Sequence, residues 1–88
     1  MGQVATVHDL TSEDTGYNYA HLATEMQSRV PSGVKVVRTE IIPLAFGLST
    51  LQVTCIMQDA EDIIEKLEDF FRSIDGISNV ETKELGLI

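Results

Sequence analysis

A chain of 88 residues is long enough for one domain with a single two-layer core and too short for two. Its net charge of −8 sets it against polyanionic partners, because nucleic-acid binding takes much of its affinity from basic groups that neutralise phosphates. The composition, 43% hydrophobic and 23% charged, is that of a globular protein, and no apolar run approaches the ~18–20 residues that cross a bilayer, so direct nucleic-acid binding and a membrane span are both excluded from the expectations.

The amino terminus, Met1-Gly2-Gln3-Val4, has no basic region followed by an apolar stretch, and Val7 stands where a myristoylation motif requires Ser or Thr. Cys55 is the single cysteine and can form no intramolecular disulfide. Together with His8 and His21 it offers no metal-ligand spacing. A cytoplasmic protein with no metal and no cofactor is expected.

Gln3 to Leu10 reads as a first strand, with Val4, Thr6, His8 and Leu10 on one face and Ala5, Val7 and Asp9 on the other. A lone histidine on a sheet is most often structural or solvated, so His8 receives no chemical role. After the polar loop Thr11 to Gly16, Tyr19, Leu22, Ala23, Met26 and Val30 recur with helical spacing and predict a helix from about Tyr19 to Val30. Asn18 or Thr15 is its N-cap, and Pro31-Ser32-Gly33 ends it.

Val34 to Ile42, rich in β-branched residues, forms a second strand that Pro43 closes. Leu48 to Gln58 is a third, with Leu51, Val53, Cys55 and Met57 facing the core and Thr50, Gln52, Thr54 and Gln58 facing away. The few residues between them imply an antiparallel hairpin with Phe46 near its tip. Asp59 can cap a second helix whose buried stripe is Ile63, Ile64, Leu67, Phe70, Phe71 and Ile74, with Gly76 as a left-handed stop. Its carboxylates, Asp59, Glu61, Asp62, Glu65, Glu68 and Asp69, read as a solvated face. Ile77 to Leu85 makes a weaker last strand, followed by the tail Gly86-Leu87-Ile88.

Strand, helix, strand, strand, helix, strand is an α+β order. It predicts a ferredoxin-like βαββαβ sandwich, a four-stranded antiparallel sheet with two helices on one face. That fold hosts many functions. The third strand lacks the aromatics that an RNA-recognition module stacks on bases, and there is no Cys-x-x-Cys loop, no glycine-rich phosphate cradle and no nucleophile motif. A binding module rather than an enzyme is expected, and its most unusual feature is the Phe46 turn. From the residues alone, Phe46 is either displayed there, with Gly47 giving the backbone freedom to turn, or folded back to close the core.

Pro43-Leu44-Ala45-Phe46-Gly47-Leu48 running into Leu51-Gln52-Val53, Gln58-Asp59-Ala60-Glu61 before a helix, and Ile74-Asp75-Gly76-Ile77-Ser78-Asn79-Val80-Glu81 near the end resemble elongation factor 1-beta, in its compact archaeal form. The resemblance extends from Gly2-Gln3-Val4 through Arg29-Val30-Pro31-Ser32-Gly33 to the final strand. It implies one exchange domain over 1–88 that stands alone, acting as a guanine nucleotide exchange factor on elongation factor 1-alpha during translation elongation. It also implies that Phe46 contacts the GTPase, with Ala45 keeping the turn uncrowded and Gly47 allowing close approach. Eukaryotic members carry a lysine just before their last residue, associated with disturbing the magnesium site. This chain ends Gly86-Leu87-Ile88, so that lysine has no counterpart; Lys83, the nearest basic residue, Leu87 and Ile88 are candidates for secondary contacts. The competing expectations are a ferredoxin-like regulatory domain that dimerises and binds a small effector, and an acyl-phosphate hydrolase, which lacks the arginine its phosphate loop requires.

Overall fold

Alternation of apolar and polar residues puts one face of each strand against the helices, and the computed structural model follows that pattern. It describes residues 2–58 and 61–87, the side chains of Glu61 and Leu87 excepted. The elements are β1 (Gln3–Thr11), α1 (Tyr19–Arg29), β2 (Val34–Pro43), β3 (Ser49–Gln58), α2 (Glu61–Ser73) and β4 (Asn79–Leu87). The four strands form one antiparallel sheet in the order β2-β3-β1-β4, the ferredoxin-like arrangement. No described helix is long and apolar enough to cross a membrane.

Val4 and Leu10 of β1, and Leu51, Val53, Cys55 and Met57 of β3, are buried. Tyr19, Leu22 and Met26 of α1 close over them, with Leu67, Phe71 and Ile74 supplied by α2 and the turn after it. Burial pushes the Cys55 thiol up to about 12, so it stays protonated as a packing residue. The carbonyl-facing end of α1 stops at Arg29, because Val30, preceding Pro31, takes an extended backbone while its N–H still reaches Met26 O at 3.0 Å. At its start Asn18 is the cap, its Oδ1 accepting from the His21 N–H at 3.0 Å. The expected Asp59 cap of α2 lies outside the described residues.

Five features differ from the sequence reading. β4 begins two residues later, at Asn79, since Ile77 N–H turns back to Ile74 O and Ser78 N–H bonds Thr11 O. It also runs on through Gly86 and Leu87, read as a tail, because β1 offers Ala5 and Val4 as partners there. Two bulges interrupt the ladders: Val37 is the extra residue between Val36 and Arg38, and Lys83 the extra residue between Thr82 and Glu84. Thr50, assigned outward, is buried, its hydroxyl donating to Leu10 O at 3.0 Å beside Thr11 Oγ1 at 2.9 Å. Finally, Glu68 is not simply solvated, since its Oε2 accepts a 2.6 Å bond from the Thr82 hydroxyl.

Candidate functional site: an aromatic on a strained hairpin turn

The last ladder pair of the β2–β3 hairpin is Pro43 opposite Ser49, which leaves Leu44 to Leu48 to reverse the chain. The loop closes on itself: Leu44 N–H donates to Leu48 O at 2.7 Å, and Leu48 N–H donates to Ala45 O at 3.3 Å. Reversal in so few residues requires left-handed backbone, and two successive residues adopt it, Phe46 at φ 61°, ψ 31° and Gly47 at φ 77°. Glycine tolerates this conformation without cost; for an aromatic it costs about 1–2 kcal/mol. Phe46 is the sole non-glycine residue with positive φ among those described.

The phenyl ring gains nothing from its own protein in return. Phe46 is 96% exposed, so it does not close the core. Leu44 in the same loop and Ile41 on β2 are also roughly half exposed, at 48% and 45%, a contribution that sequence periodicity did not single out. Ala45 and Gly47 are exposed on either side of the ring. The loop between β1 and α1 approaches from behind, with Thr15 Cγ2 3.9 Å from where a Cβ on Gly47 would stand. The site is convex, and the described grooves lie elsewhere, one beside α1 lined by Tyr17, His21 and Ile74 among others. A projecting apolar group with no cavity of its own is suited to entering a partner's surface.

The other candidate contacts are not gathered at this turn. Lys83 sits on β4, at the opposite edge of the sheet from β2, level with Val7 and His8 of β1, and its ammonium lies 3.5 Å from Glu81 Oε1. The Leu87 backbone pairs with Val4, at the end of β1 remote from Thr11 and the turn. At about 3.4 Å per residue, Val4 and Thr11 stand roughly 24 Å apart along β1. Ile88 lies outside the described residues.

The chain was compared with known proteins. The family model for the EF-1 guanine nucleotide exchange domain matches residues 5–88. Elongation factor 1-beta of Methanothermobacter thermautotrophicus is 32% identical over 85 residues, spanning 97% of this chain and 96% of the relative. That of Methanococcoides burtonii is 30% identical over 86 residues, spanning 98% and 97%, and that of Natronomonas pharaonis 30% over 88 residues, spanning both chains completely. With a family model over residues 5–88 and relatives at least 30% identical along nearly the whole length, this chain belongs to the elongation factor 1-beta family, as an EF-1 guanine nucleotide exchange domain.

Proposed function

We propose that the protein promotes GDP release from elongation factor 1-alpha in the cytoplasm, during translation elongation, by inserting the Phe46 ring into an apolar pocket of the GTPase. The observation that carries this reading is a 96% exposed phenylalanine held at positive φ. Backbone strain and exposed apolar area both cost free energy in the isolated protein, and both are offset if a partner buries the ring. Family membership supplies the GTPase as that partner.

An exchange factor works by binding nucleotide-free GTPase more tightly than the GDP-bound form, so that factor and nucleotide weaken each other. Accelerating release a thousandfold lowers its barrier by about 4 kcal/mol. Burying one phenyl ring contributes on the order of 2–3 kcal/mol, more than half of that. The remainder falls to flanking contacts. Ala45 and Gly47 leave room for close approach, and Leu44 extends the apolar surface. Lys83 and Leu87, on β4 at a distance from the turn, form a second contact to which Ile88 adds, giving a two-point grip on the GTPase.

The test is stopped-flow release of a fluorescent GDP analogue from the matching elongation factor 1-alpha at fixed excess magnesium. The unaltered protein accelerates release. Phe46→Ala folds normally, because an exposed side chain contributes little to native stability, and loses roughly 30- to 160-fold of the acceleration, the equivalent of the lost burial. A Phe46→Ala protein that exchanges at full rate, or that unfolds at much lower denaturant concentration, removes the insertion mechanism.

A further inference from the structure

Directly behind the turn, the β1–β3 ladder ends in an unusual way. Its register runs to Thr11 opposite Thr50, so the next pair in sequence is Ser12 opposite Ser49. Those two residues do not meet as a ladder pair. The hydroxyl of Tyr19, the first residue of α1, stands between them: it accepts from the Ser12 N–H at 2.8 Å and donates to the Ser49 carbonyl at 2.7 Å. Tyr19 is 6% exposed and Ser12 1%, so the bond to Ser12 lies out of reach of bulk water, while the bond to the half-buried Ser49 is partly shielded from it. A buried amide or carbonyl that loses its partner costs far more than an average hydrogen bond contributes. One side chain thus joins the start of α1, the end of β1 and the start of β3.

Ser49 is the residue after Leu48, and Leu48 closes the turn through both its carbonyl and its N–H. On the hairpin's other side Pro43 stands opposite Ser49 and has no N–H to offer the ladder. The base of the turn is therefore anchored from the α1 side. We infer that Tyr19 is the positioning residue of the exchange turn: through Ser49 its hydroxyl holds the Leu44–Leu48 loop closed around the left-handed Phe46–Gly47 pair that projects the ring. The inference rests on reading Phe46 as the residue that enters the GTPase. Tyr19 itself touches neither partner nor nucleotide, and acts only through the turn.

Tyr19→Phe removes the hydroxyl and keeps the ring in the core. The readouts are amide hydrogen exchange by NMR and GDP-analogue release from elongation factor 1-alpha, at a temperature where circular dichroism shows every variant fully folded. Val34→Ala serves as a second variant, since it lowers core stability at the start of β2, away from both the turn and β4. Under the inference, Tyr19→Phe speeds exchange at the Leu44 and Leu48 amides beyond any change in the central β1–β3 amides. It slows GDP release about tenfold, less than the roughly 100-fold that a full ångström of misplacement can cost and less than the loss in Phe46→Ala, because the ring is displaced without being removed. Val34→Ala does neither. Added to Phe46→Ala, Tyr19→Phe changes the release rate no further, because its effect passes through the missing ring.

Full exchange activity in Tyr19→Phe, an equal loss in Val34→Ala, or a further tenfold loss in the Phe46→Ala background overturns the positioning role. Those outcomes leave the Phe46 reading standing so long as Phe46→Ala is itself defective. A fully active Phe46→Ala overturns both.

Discussion

At the scale of single residues, His8 shows how far a side chain's role depends on its neighbours. It is fully buried, 5.0 Å from the Phe71 ring, with Nε2 2.8 Å from Thr6 Oγ1 and Nδ1 3.1 Å from Thr82 Oγ1. Thr82 has one hydroxyl proton and gives it to the Glu68 carboxylate, so its oxygen accepts from Nδ1–H, and the bare Nε2 accepts from the Thr6 hydroxyl. Every group in the chain is satisfied with the imidazole neutral. Burial outweighs the attraction of Glu68 and Asp9 and holds the pKa of His8 below its ordinary 6.5. The unfolded chain then takes up this proton at a higher pH than the native protein does. Stability from this site is complete above 6.5 and declines as the pH falls from there towards the native value. Urea midpoints measured between pH 7.5 and 5 should drop towards acid, and His8→Gln should remove part of that slope.

At the scale of elements, the joint between α2 and β4 rests on one glycine. Gly76 adopts φ 88°, and a Cβ there would lie 2.5 Å from Tyr17 Cε1. Tyr17 has little freedom to retreat: its hydroxyl donates to Asp75 O at 3.1 Å, and its ring meets Tyr19 edge to face at 5.0 Å. Gly76→Ala therefore combines left-handed strain with an aromatic clash and should cost about 2–4 kcal/mol, read as a lower midpoint in urea denaturation. Because the clash bears on the residue stacked against Tyr19, the same variant tests how rigidly this corner of the molecule is built.

Across the whole molecule, an elongated body of 43 × 21 × 18 Å carries its exposed aromatic at one end of the β2–β3 hairpin and its carboxyl-terminal strand at the opposite edge of the sheet. The charge of −8 suits a basic face on the GTPase. Screening shortens the reach of such attraction from roughly 10 Å at 0.1 M salt to 3 Å at 1 M. Association with elongation factor 1-alpha should accordingly slow as salt is raised, while the release rate at saturating factor, set by contacts already made, should change much less. Stopped-flow traces over a range of protein concentrations and salt separate the two.

The amino-acid sequence by itself determined the order of the elements, the inward faces of β1 and β3, the Gly76 stop and the helical stripes, since hydrophobic periodicity reports which way neighbouring side chains point. It also marked Phe46 by its place between a proline-ended strand and a glycine, but left open whether the ring turned inward or outward. Only the tertiary structure decided that, because exposure depends on where the rest of the chain lies. The bulges at Val37 and Lys83 are mismatches between two strands and exist in neither strand alone. The same holds for the His8–Thr82 bond, which joins residues 74 positions apart, and for the Tyr19 bridge to Ser49 across 30. Local patterns are written in consecutive residues. Registers and hydrogen bonds between distant residues arise only when the elements are packed together.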